Sequence, residues 1–312
     1  MYCPILRSKQ FELIALRELM EGGKLDLGYF CPIIEPVRSN ITPLIKTIKV
    51  LNEHGIEPLV IINPSVGDFL GKHKVLIDQL ELEDEIRFVP SIIVKDAKSI
   101  DLSDYSISVG DEFAIVAFGG VDRELIKLSQ EAVYTVVENS KTNPLALSRL
   151  KGVILYEDAF KKKIRNLDYE EESPFSYLHA TYNQTANVVG FGDYTTLPKE
   201  YMEGGGPAYV VTIHISYINR DEFDEMYVRH YSSYSDGTPT NPQGKFLDAL
   251  DKLISDYRSE GNVFDQTSGM DEFERIYDSN HYPGLGQVKK ISMKHHIETI
   301  CDYLAMEGLA GE

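Results

Sequence analysis

Nine residues stand where short apolar runs of this 312-residue chain give way to polar sequence, and their types suit acid–base and anion-binding chemistry. Glu35, Glu138, Glu157 and Asp193 are carboxylates that could move a proton or hold a metal. Arg7, Lys9, Asn63, Lys95 and Tyr194 could hold a substrate anion. Asp96, Asn139 and Asp158 stand beside Lys95, Glu138 and Glu157, and Asp122 stands at another run end. Glu35 and Glu157 weigh most, because they interrupt otherwise apolar segments.

Familiar motifs are missing. GFGDYTT holds two glycines, Gly190 and Gly192, but neither GxGxxG nor GxxxxGK followed by Ser or Thr occurs, so the string predicts close backbone approach or a bulge rather than a nucleotide cradle. The GGGP at positions 204–207 reads as a joint. No HExxH, GxSxG or CxxC is present. His296 falls on the stripe Met293, Ile297, Ile300 and Leu304 and reads as a core histidine, and Cys301 reads as packing. His214 and His230 are placed to face each other across a hairpin. No metal site is expected, and the sequence names no cofactor.

The elements that must carry these residues begin with a repeated phrase. Tyr2-Cys3-Pro4-Ile5-Leu6 returns as Phe30-Cys31-Pro32-Ile33-Ile34, and a proline opens IEPLV and FVPSI as well, at intervals of roughly 26 to 32 residues, about one strand-helix unit. Between the phrases lie amphipathic stretches: one with Phe11, Ile14, Ala15 and Leu19, stopped by Gly22-Gly23, and one with Leu44, Ile48 and Leu51, stopped by Gly55. EFAIVAFGG, AVYTVVENS, KGVILYEDA and NVVGFGDYT continue as unbroken apolar runs, the signature of parallel strands covered on both faces. About eight strands between Tyr2 and Asp193 predict a (β/α)8 TIM-barrel-like α/β fold, with the reactive groups on the loops at the strand C-terminal ends.

The rest changes rhythm. Tyr209, Val211, Ile213, Ile215 and Tyr217 alternate with Thr212, His214 and Ser216, which predicts an antiparallel strand pairing with 226–231 and leaving one face to solvent or a partner. Whether this strand replaces one of the eight is open. The expected organisation is one barrel-like domain over 1–312, a hairpin and loop insertion over about 201–240, and a C-terminal helical part over about 244–312. Phe246, Leu247, Leu250, Leu253 and Ile254 should point inward, and a last helix should run over about 290–306.

Composition limits the function classes. A net charge of −18 argues against direct nucleic-acid binding, which needs clustered Lys and Arg. An acidic surface could meet a basic protein partner, or imitate a nucleic acid before a basic nuclease. No apolar run nears the roughly 20 residues of a membrane span, and no leader follows Met1, so a cytoplasmic protein is expected. Three cysteines fit free thiols better than a disulfide framework.

Taken together, PILRSKQFELIALREL, CPIIEPV with ITPLIKTI, GFGDYTTL and KKISMKHHIETICDYL resemble the phage and bacterial "beta protein" family over nearly the whole chain. That resemblance implies a barrel-like α/β fold and a place in phage-defence or mobile-element gene clusters beside nuclease-like partners. It carries no catalytic signature. Two functions therefore stand as expectations: a component of such a system acting through a protein partner, or a hydrolase of phosphoesterase type acting on a phosphate-bearing small molecule or nucleotide at the barrel rim.

Overall fold

A computed structural model describes residues 1–23, 25–204, 206, 208–259 and 261–308. Of the GGGP stretch, Gly205 and Pro207 lie outside the described residues.

Eight parallel strands form one sheet in chain order: β1 (Ile5–Leu6), β2 (Ile33–Ile34), β3 (Leu59–Ile61), β4 (Val89–Ile93), β5 (Ala114–Ala117), β6 (Tyr134–Glu138), β7 (Val153–Tyr156) and, after an intervening strand β8 (Glu172–Ser176), β9 (Val188–Gly192). All eight expected apolar runs are present. The sheet closes on itself where Cys3 N donates to Phe191 O at 2.7 Å and Ile5 N to Asp193 O at 2.8 Å, beside a parallel bridge between Tyr2 and Phe191. Two glycines permit that seam: a Cβ on Gly192 would lie 2.0 Å from Cys3 O, and one on Gly190 would lie 2.8 Å from Met1 O. The close approach expected of GFGDYTT is thus the joint of a (β/α)8 barrel.

The repeated phrase is also structural. Ile5, Ile33 and Leu59 stand opposite one another, so Pro4, Pro32 and Pro58 hold equivalent strand entrances, whereas Pro90 pairs with Val60, two residues further along. All three cysteines are free thiols.

Helices cover the barrel. α1 (Gln10–Gly22) buries Leu13, Leu16 and Leu19 and ends at Gly23, whose φ of 63° is the left-handed conformation glycine supplies. α2 (Thr42–Glu53) buries Leu44, Ile48 and Leu51, and α3 (His73–Glu81) buries Leu76, Ile77 and Leu80. Short helices α4 (Arg123–Ser129), α5 (Pro144–Leu147) and α6 (Leu178–Thr181) follow their strands. The barrel interior is a separate core of Cys3, Ile5, Ile33, Leu59, Ile61, Val116, Val136 and Ile154, capped by Tyr156 and Tyr194.

A second layer is built from segments that follow β7 and β9. β10 (Thr212–Asn219) and β11 (Glu225–Ser232) pair antiparallel, and β8, which the sequence reading missed, adds to β11 as a third strand. Neither side of this sheet is free, contrary to expectation. Ile213, Ile215 and Tyr217 pack with Phe246, Leu250 and Leu253 of α7 (Pro242–Tyr257) and with Met270 and Phe273 of α8 (Ser268–Ser279), while Ile218, Met226 and Val228 join the barrel's outer core. α8 was not expected either.

α9 (Leu285–Glu307) follows α8 in the chain. It lies between the barrel and the added layer, against α1, α8 and β10, and its middle, from Lys290 to Cys301, is buried on all sides. It follows the barrel's eighth strand, with β10, β11, α7 and α8 lying between β9 and α9 in the chain. Among the described residues, no helix is long and apolar enough to cross a membrane.

Candidate functional site at the barrel mouth

Strand side chains alternate between the two faces of a sheet. Ile5, Ile33, Ile61, Ile93, Val116, Val136 and Ile154 face the barrel interior, so two residues further on the inward row continues as Arg7, Glu35, Asn63, Lys95, Phe118, Glu138 and Tyr156, with Tyr194 completing it. Glu157 and Asp193 fall on the opposite parity and turn outward.

Contacts bear this out. Glu35 is buried and accepts from Ser65 N at 2.7 Å and Ser65 Oγ at 2.8 Å, with Arg7 Nε 3.6 Å from its other oxygen. The Arg7 guanidinium lies over the Tyr194 ring, 5.1 Å from its centre. Tyr194 stands edge-on to Tyr156. Tyr156 donates to Glu138 Oε2 at 2.7 Å, and that oxygen also receives Lys141 at 2.9 Å and Lys199 at 3.0 Å. Lys199 Nζ sits near the rings of Phe118 and Tyr156.

Burial acts to raise the Glu138 pKa, but the three donors outweigh it and take it down to about 2. Burial, then the Glu138 hydrogen bond, pushes the Tyr156 phenol well above its ordinary value. Burial likewise raises Tyr194; Arg7 opposes this, and Glu35, Asp158 and Glu138 add to it. The mouth holds two carboxyl side chains, Glu35 and Glu138, the phenols of Tyr156 and Tyr194, and the cations Arg7, Lys141 and Lys199.

A segment after β9, residues 195–203, crosses this mouth. Arg7 donates to the carbonyls of Pro198 (3.4 Å) and Lys199, Lys9 donates to the carbonyl of Met202, and both cations lie over the Tyr201 ring. Thr195 is fully buried with a φ of 56°, a strained conformation for a β-branched residue. Among the described residues, Thr195 Oγ1, Arg7 Nε and Tyr201 Oη are all buried without a hydrogen-bond partner, and all lie at this mouth.

The other expected site residues have different work. Asn63 is spent on the backbone, receiving Ile93 N at 2.7 Å and donating to Ile93 O at 3.0 Å. Lys95 is exposed, above a groove that also holds Asn63, His73 and Tyr105. Glu157 receives Asn139 at 2.7 Å and Ser176 of β8 at 2.7 Å, tying the barrel to the added sheet. Asp193 receives Tyr2 Oη at 2.8 Å and Thr195 N at 2.7 Å and lies 3.3 Å from His296 Nε2.

His296 Nδ1 lies 2.8 Å from Ser216 Oγ, which completes a Ser-His-Asp alignment. It is a tie rather than a nucleophile. Ser216 and His296 are wholly buried, and the Ser216 carbonyl is engaged by His295 at 2.7 Å. His214 and His230 do meet, Nδ1 to Nδ1 at 2.7 Å, with His230 Nε2 2.8 Å from Ser173 Oγ. Burial holds the His230 pKa down at about 4. Among the described residues, no group of three or more His, Cys, Asp or Glu is arranged to hold a metal.

Tyr156, Phe118, Lys199 and Tyr201 were missed from the sequence. Strand parity applied to GVILYED selects Tyr156 over Glu157. Lys199 gives no such signal, because a loop brings it back. No family model matches this chain, nor does any curated protein or solved structure.

Proposed function

We propose that the chain is an enzyme of hydrolase type that binds a phosphate-bearing small molecule at the C-terminal mouth of its barrel. The observation that carries this reading is the inward row Arg7, Glu35, Glu138, Tyr156 and Tyr194, closed from above by Lys199. Arg7 and Lys199 are the cations that take the phosphate oxygens. Once Lys199 turns to phosphate, Glu138 loses one of the donors that hold it down and becomes a stronger base. In hydrolysis, water adds to phosphorus and gives its proton to Glu138. The bond from phosphorus to the ester oxygen breaks, and that oxygen leaves with a proton from the Lys199 ammonium, giving an alcohol and a phosphate.

A role in phage defence through a protein partner rests on the family resemblance and the acidic surface. The hairpin that suggested a docking face is covered on both sides. The enzyme reading is tested by phosphate release from phosphomonoesters, phosphodiesters and nucleotides. Turnover is expected for one of these classes, with Glu138→Gln lowering it about a hundredfold or more while the unfolding midpoint shows an intact fold. Turnover unchanged in Glu138→Gln, or none with any class, removes the reading.

A further inference from the structure

The cations over the mouth are held by oxygens that have the arrangement of a ligand. Arg7 and Lys9 donate to main-chain carbonyls of Pro198, Lys199 and Met202, while Arg38 donates to Glu203 Oε1 at 3.2 Å and Glu203 O at 3.3 Å. One strap of six residues, 198–203, thus lays a row of carbonyls and one carboxylate across three cations. In a chain of net charge −18, such a grouping is not a general surface property. Burial lowers the Lys9 pKa, Glu12 opposes that, and the charges of Arg7, Lys289 and Arg38 add to it.

Beside these cations lies an open groove of about 490 Å³ between the starts of α1 and α2. Lys9, Arg38, Ser39 and Asn40 line one side, and Phe11, Ile41, Pro43 and Leu44 make an apolar wall. This size and mixture suit a small organic ligand with a charged end. The acid in the groove, Asp68, is engaged by Ser39 N at 2.8 Å.

We propose that the groove and the three cations form the binding site for a pyrophosphate-bearing small molecule of the nucleoside diphosphate class, and that the strap 198–203 occupies the anion part of that site until the ligand displaces it. The inference rests on the reading of the mouth as a phosphate site and narrows its substrate. An extended anion is favoured over a single phosphate because the oxygens now bound spread over six residues. A diphosphate chain can replace several of them, each through a charge-assisted hydrogen bond, and the organic part then meets the wall formed by Phe11 and Pro43.

The test is calorimetric titration of the intact protein with pyrophosphate, ADP and inorganic phosphate, in parallel with chymotrypsin cleavage after Tyr201, whose ring lies under Arg7 and Lys9. Pyrophosphate and ADP should bind, and inorganic phosphate should bind at least about tenfold more weakly. Lys9→Gln and Arg38→Gln, both on side chains with solvent access, should each weaken ADP about tenfold or more. Bound pyrophosphate should speed cleavage after Tyr201 as the strap carbonyls leave Arg7 and Lys9. No binding of pyrophosphate at millimolar concentration overturns the inference, as does binding that neither variant weakens or that leaves cleavage unchanged. Binding without hydrolysis supports this site and removes the hydrolase step, so the two failures are distinguishable.

Discussion

Substituting Gly192 with alanine should be among the most damaging single changes in the barrel. The new Cβ would lie 2.0 Å from Cys3 O and 2.9 Å from Cys3 C, where real contacts stay above 3.0 Å, so β9 and β1 must separate by roughly 1 Å. Cys3 N to Phe191 O is now 2.7 Å and Ile5 N to Asp193 O is 2.8 Å; both bonds would stretch past 3.5 Å. Tyr2, Cys3 and Phe191 are buried, so water cannot replace what is lost. Two buried main-chain bonds at roughly 1–2 kcal/mol each, with the disturbed packing, give about 3–5 kcal/mol, a large part of the roughly 5–15 kcal/mol that keeps a domain folded. Urea unfolding followed by tyrosine fluorescence suits a chain with 19 tyrosines and no tryptophan. Gly119→Ala is the control, since a Cβ there meets nothing within 4 Å, and it should stay within about 0.5 kcal/mol of the parent. A Gly192→Ala cost below about 1 kcal/mol would refute the reasoning that the barrel closes at this glycine.

Three further outcomes are expected. Burial holds His179, His230 and His295 at about 4, below the ordinary 6.5, so each is neutral when folded and takes a proton on unfolding as pH falls. Their contribution is fully present above pH 6.5 and is lost as pH falls toward 4, with a slope approaching ~1.4 kcal/mol per pH unit for each; urea midpoints that stay flat from pH 7 to pH 5 would contradict it. Removing the Tyr2 hydroxyl with Tyr2→Phe takes a buried hydrogen bond from Asp193 and should cost about 1.5–3 kcal/mol in the same assay, and a neutral result would mean that Asp193 is not relied on there. Burial pushes the Cys31 thiol up to about 12 and raises Cys3 and Cys301 well above their ordinary value, so a disulfide reagent at neutral pH should react slowly with the native protein and then count three thiols in denaturant without reductant; a count below three would show a disulfide.

The barrel was legible because its evidence is local. Each parallel strand is a short apolar run, and the repeated Cys-Pro phrase sits at equivalent strand entrances in its first two copies. The strand β8 was not legible: ESPFS lacks the apolar alternation of β10, since its pairing to β11 is decided by the added layer rather than by its own side chains. The start of the last helix was also obscured, because α9 is buried all round from Lys290 to Cys301, so polar and charged residues share its core with the stripe Met293, Ile297, Ile300 and Leu304.

Half of the site followed from strand ends. Arg7, Glu35, Glu138 and Tyr194 do converge, yet Glu157 and Asp193 were chosen for their charge when strand parity turns them toward Ser176 and His296. Lys199, Arg38 and Tyr201 reach the mouth through loops, and no periodicity encodes where a loop returns.

The most direct measurement of the central claim is a crystal structure of the protein with methylenediphosphonate, a non-hydrolysable pyrophosphate. The account predicts the diphosphonate on Arg7 and Lys9 in the barrel mouth, with the carbonyls of Pro198, Lys199 and Met202 moved off those cations. Diphosphonate bound elsewhere, or a strap still bonded to Arg7 and Lys9 at saturating ligand, would contradict it.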